Sequence, residues 1–164
     1  MLLLSALACS ALPVAAAPFT PGSDQQVLER LPARRGDPQQ RELAELRRRL
    51  VAEPRNVELA LQVARRYYAA VAAEGDPRYI GYAQAALAPW WDLPEPPPAV
   101  RVQRAVLRQF NHGFEAAVAD LTAVVRADPA QGEAWAWLAA IAMVQARYAD
   151  AGQACGRLAP LASP

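Results

Sequence analysis

The chain has 164 residues, enough for one ordinary domain, and with 54% hydrophobic and 20% charged residues it can bury a real core. Seventeen basic and sixteen acidic residues leave a formal net charge of +1, which removes any electrostatic ground for binding nucleic acid. All the basic residues are arginine, a compositional bias, although arginine keeps its charge at any pH and grips carboxylates through two parallel hydrogen bonds. Alanine and leucine dominate over isoleucine, threonine and phenylalanine, which favours close helix packing over sheet and predicts an all-α fold.

Residues 1–14 are apolar or small, and Val14, Ala15 and Ala16 make a small-residue cleavage pattern. Residues 1–16 are therefore predicted to be a secretory signal peptide, with cleavage after Ala16 rather than after Ala17, which would place Pro18 next to the scissile bond. No Lys or Arg precedes the apolar run, a departure from the usual signal. The expected location is periplasmic or secreted, with no transmembrane anchor, because no later stretch approaches the roughly 20 apolar residues of a spanning helix. Cys9 allows a second reading as a lipid-anchored residue, although Leu7 sits one place later than that pattern prefers. If Cys9 leaves with the signal, Cys155 remains alone and no intramolecular disulfide can form.

Residues 17–36 read as a flexible leader, with a short amphipathic helix over 24–31 that Pro32 stops. Asp37 and Pro38 give a cap followed by a proline at the first helical position, and Leu43, Leu46 and Leu50 then recur at helical spacing until Glu53 and Pro54. A second helix is predicted over 57–74, where Leu59, Val63, Tyr67 and Val71 share a face with Ala60 and Ala64 beside them, and Gly75 ends it. Asp76 and Pro77 repeat the start signal for a helix carrying Ile80, Ala83 and Leu87 that stops before Pro89. Residues 90–98 hold two tryptophans and four prolines, which predicts a stiff connection in extended conformation. Residues 37–97 thus form an irregular front half.

From residue 98 the sequence repeats. Taking Gly132 as the first position, Trp135, Leu138, Ala139, Tyr148, Ala151, Cys155 and Leu158 fall where a 34-residue helical-hairpin pattern places large and small side chains. One period earlier, Ala105, Phe114, Ala117, Leu121, Val124 and Pro129 take the same places. The alanines let two antiparallel helices approach, and Phe114 and Tyr148 are expected to fill the space between successive hairpins. Upstream, Pro54 before Val57 mimics Pro129 before Gly132.

These residues resemble the tetratricopeptide repeat family, clearly over residues 98–158 and more loosely before that, and the chain as a whole is similar to exported bacterial proteins carrying such repeats. The resemblance implies antiparallel hairpins stacked as a short right-handed solenoid, with two hairpins in residues 98–164, that acts as a scaffold for protein–protein interaction. The chain departs from the family pattern in four places. Arg101, Arg104 and Arg108 stand where apolar residues are usual, Ala142 replaces a large residue, Ser163 replaces the closing proline, and the last repeat lacks a polar capping helix. That last departure suggests an alternative, a structural subunit or fragment that packs on another chain or on itself.

No catalytic group emerges, because the mature chain offers one histidine, His112, and one cysteine, Cys155, in different repeats. His112 reads as a turn residue and Cys155 as a small filler in the core. Soft ligands are too few for a metal site, and no glycine-rich loop suits a phosphate or other cofactor. Two features suit a partner instead. Arg101, Arg104 and Arg108 share a helical face near the groove that such repeats use, which fits an acidic peptide; the alternative is a solvated face paired with Glu115, Asp120 or Asp128. Tyr67, Tyr68, Tyr79, Tyr82, Trp90 and Trp91 form an aromatic group that is either an interface or the filling of an imperfect repeat.

Overall fold

The computed structural model describes residues 19–23, 25–28 and 38–161, in two units that divide at residues 35 and 36. In the first unit, residues 25–28 form a turn followed by irregular chain, where a helix over 24–31 is expected. So short a segment gains too few helical hydrogen bonds to offset the cost of nucleation. The signal and its cleavage site, Cys9, Asp37 and Ser163 lie outside the described residues.

The second unit is all helical: among its described residues are α1 (Pro38–Ala52), α2 (Val57–Glu74), α3 (Arg78–Ala86), α4 (Ala88–Trp91), α5 (Pro98–Phe110), α6 (Phe114–Ala127), α7 (Gly132–Val144) and α8 (Tyr148–Leu158), ending in a 3-10 turn over Ala159–Leu161. Local chemistry sets these boundaries. The Asn56 side chain accepts the Leu59 amide at 3.1 Å to open α2, and Gly75 closes it with φ +70°, its amide donating to the Val71 carbonyl at 2.8 Å. Asp76 accepts the Arg78 amide at 2.9 Å ahead of α3. The sequence predicts extended chain from residue 90, but Trp90 and Trp91 belong to the short helix α4. Pro89 lies within its first turn, where a missing N–H leaves nothing unsatisfied.

α2 packs on α1, α3 and α5, whereas α5 packs on α6 and α7, and α7 on α6 and α8. Two cores result. Leu59, Val63, Ile80 and Leu87 with Val100 and Leu107 make the first, and Val102, Ala105, Ala117, Leu121 and Ile141 make the second. α5 lies between them and contributes to both, which is why its buried positions run without a break from Val102 to Leu107. Ala105 and Ala117 are fully buried, and Ala139 and Ala151 nearly so, as expected of positions where helices approach closely.

The two C-terminal hairpins repeat in backbone detail. α5 and α7 begin 34 residues apart (98 and 132) and end 34 residues apart (110 and 144). Their closing turns match: the Gly113 amide donates to the Arg108 carbonyl and the Arg147 amide to the Ala142 carbonyl, both at 2.8 Å. His112 (φ 60°) and Ala146 (φ 57°) hold the same left-handed conformation in the two turns. Alanine is a poor residue there, since its Cβ crowds the backbone, so relief of this strain should exceed the entropy that glycine adds to the unfolded chain. Ala146→Gly is expected to stabilise the fold by about 0.5–1 kcal/mol, seen as a rise of a few degrees in Tm. A lower Tm would show that the turn is unstrained.

Two packing expectations are corrected at the last hairpin. Tyr148 is 66% exposed instead of filling a gap between hairpins, and Cys155 is exposed instead of sitting in the core. Both positions are covered only when another hairpin follows, and only Ala151 and Ala154 of α8 are buried.

Candidate functional site

Arg101, Arg104 and Arg108 leave α5 on one side, but that side faces the protein. Arg104 is 4% exposed and makes four hydrogen bonds: Nε to Asp120 Oδ2 at 2.8 Å, Nη2 to Asp120 Oδ1 at 2.6 Å, and Nη1 to the carbonyls of Trp91 at 2.6 Å and Leu93 at 3.0 Å. The planar guanidinium meets the carboxylate with two parallel bonds and turns its remaining edge to the backbone, so neither charge is buried without partners. Arg108 Nη1 reaches the same Asp120 Oδ2 at 2.8 Å, and its guanidinium lies 5.6 Å from the centre of the Trp91 ring. Arg101 Nη2 donates to the Pro94 carbonyl at 2.9 Å, and its Nε is buried without a hydrogen-bond partner.

The three arginines therefore stitch residues 91–94 and α6 onto α5. A pairing with Asp120 is among those expected from the sequence, but the solvated face expected with it is not found at Arg104 or Asp120, both buried. Within the proline-rich connection the Pro97 carbonyl accepts the Val100 and Arg101 amides of α5, and the arginine donors supply partners for the carbonyls of Trp91, Leu93 and Pro94.

The aromatic residues divide into two groups, because Tyr67 and Tyr68 leave α2 roughly 100° apart. Tyr67, buried, stacks on Tyr79 at 5.9 Å and meets Tyr82 at 5.4 Å. Burial pushes its hydroxyl above the ordinary tyrosine value, as it does that of Tyr68. Trp90 and Trp91 pack half-buried against the first core.

Tyr68 turns the other way. Its ring meets Phe110 of α5 edge-on at 6.5 Å and Trp137 of α7 at 6.3 Å, so three helices share one aromatic contact. Arg65 of α2 and Glu133 of α7, each about half exposed, stand 3.9 Å apart across the same helices. Phe110 is 37% exposed, and Val144, which holds in α7 the place that Phe110 holds in α5, is 69% exposed beside Met143 at 55%. Phe110 and Trp137 are not among the residues singled out from the sequence. A signal for them was present: α7 carries one charged residue, Glu133, among thirteen, more apolar surface than a single packing stripe uses.

His112 is exposed in the α5–α6 turn, its ring 5.6 Å from that of Phe114. Among the described residues no group of three or more His, Cys, Asp or Glu side chains could hold a metal ion, and no helix is long and apolar enough to cross a membrane. No protein-family model, curated protein or solved structure matches the chain.

Proposed function

We propose that this chain is an exported scaffold of the tetratricopeptide type, in which hairpins stacked as a short solenoid hold a segment of an envelope or secreted protein. The observation that carries this reading is the Tyr68–Phe110–Trp137 contact, which gathers partly exposed aromatic side chains from α2, α5 and α7 onto one face. Support for the repeat class comes from the 34-residue recurrence of helices and turns and from the alanines at the close approaches.

Aromatic rings offer a partner large apolar area at a small entropic cost, and Arg65 and Glu133 add one charge of each sign at the edge of the face. The bound segment is therefore apolar with mixed charge, while Arg104 serves the fold. The test is capture from an envelope extract by the chain lacking residues 1–16, followed by identification of what is retained. Reproducible retention of one protein, reduced when Tyr68 and Trp137 are changed to alanine, is the expected result; equal retention by the doubly substituted chain would overturn the assignment.

A further inference from the structure

α1 and α3 both lie against α2, and between them runs an apolar cleft of about 440 Å3. Its two walls are built alike. On one side stand Arg47, Leu50 and Val51 of α1, with Pro54 just beyond the helix end. On the other stand Tyr82, Ala85 and Ala86 of α3, with Pro89 of α4. Each set has the sequence spacing i, i+3, i+4, i+7; its first three members share one face of a helix, and its proline stands beyond that helix's end. The buried ring of Tyr67 forms part of the floor.

Two properties of the cleft identify what fits it. Both rims are apolar and stand in solvent, Val51 being 84% and Tyr82 51% exposed, so the cleft is open along its length. An occupant that seats side chains there while its own backbone covers the opening buries more of this surface than a slender acyl chain lying on the floor. The second property is charge. Arg47 is the one Arg, Asp or Glu along the lining, and it makes no ion pair among the described residues. The acids of its own helix are engaged elsewhere, Glu45 with Arg48 and Glu42 with Arg66.

We infer that this cleft receives two turns of an amphipathic helix from a partner protein, carrying apolar side chains at i+3, i+4 and i+7 and, at i, a carboxylate that meets Arg47. Helices recognised in grooves present their anchors at this spacing. The surface is separate from the Tyr68–Phe110–Trp137 face and does not depend on the function proposed for it.

The probe is a labelled helical peptide of about 15 residues, long enough to hold some helix alone, with one glutamate and leucines three, four and seven residues after it. Its binding to the full chain is followed by fluorescence anisotropy. Saturable binding is expected, weakened about tenfold or more by Val51→Asp and by Arg47→Glu, with a peptide carrying lysine in place of the glutamate recovering affinity for Arg47→Glu. Val51 and Arg47 are exposed, so circular dichroism should show both variants folded. Phe110→Arg should bind the peptide normally. Equal affinity for the wild-type and Val51→Asp chains would overturn the inference, as would loss of binding in Phe110→Arg, which would place the peptide on the other face. Self-association abolished by Val51→Asp, with no peptide binding, would also overturn it by assigning the cleft to a second copy of the chain.

Discussion

Replacing Asp120 by alanine is expected to lower the unfolding free energy by about 3–5 kcal/mol, the cost of leaving a buried charge without its partner. Arg104 would keep its bonds to the carbonyls of Trp91 and Leu93 but lose both bonds to the carboxylate, and Arg108 would lose its bond to the same group. Water cannot readily replace them, because the Arg104 side chain is 5% exposed. Asp120→Asn keeps an acceptor and is expected to cost less. Arg104→Met combined with Asp120→Leu removes both charges but also the donor that the Trp91 and Leu93 carbonyls share, so it should recover only part of the loss. Urea unfolding at constant slope measures the series. A loss below about 1 kcal/mol for Asp120→Ala would mean that the guanidinium reaches solvent and that the clamp is a surface pair.

Leu107→Ala is expected to cost about 2–5 kcal/mol, because a fully buried leucine is replaced by a cavity that its neighbours fill only in part. The form of the transition is as informative as its size. Leu107 belongs to the first core, while Val102 and Ala105 of the same helix belong to the second, so loosening α5 loosens both. Circular dichroism and tryptophan fluorescence should therefore report one coincident transition for the wild-type chain and for Leu107→Ala. Two separated transitions would show that the cores unfold independently and that α5 does not couple them.

Much of this architecture is legible in the amino-acid sequence, and the exceptions have physical causes. Ala105, Ala117, Ala139 and Ala151 can be assigned to close helix approaches because only small side chains fit there, and Gly75 can be placed at a helix end because it tolerates a positive φ. The arginines are harder to read. Spacing puts Arg101, Arg104 and Arg108 on one face but does not reveal whether that face meets water or protein. Half of their six hydrogen bonds go to backbone carbonyls of residues 91–94, which leave no mark in a sequence. Asp120 is one of three candidate acids in the sequence, but its burial depends on the path of the chain between α4 and α5.

The aromatic face is partly visible in the sequence. Tyr68 is conspicuous beside Tyr67, but the partners of Tyr68 come from two other helices, and only the packing of α2, α5 and α7 brings the three rings together. Tyr148 and Cys155 are hard to place for a related reason: their repeat positions are core positions only where a further hairpin covers them.

α5 thus has two duties. One side, through Arg101, Arg104 and Arg108, fastens the proline-rich connection and α6, and its last residue, Phe110, joins the face proposed to bind a partner. The most direct test of the proposed face is the affinity of a protein retained in the envelope capture for the Phe110→Arg chain, measured by calorimetry beside the wild type. Phe110 is at a helix end and more than a third exposed, so the variant should fold. The expected result is a loss of affinity of about 2 kcal/mol or more, the effect of removing a central aromatic anchor. An unchanged affinity would contradict the assignment and move the binding surface away from α2, α5 and α7.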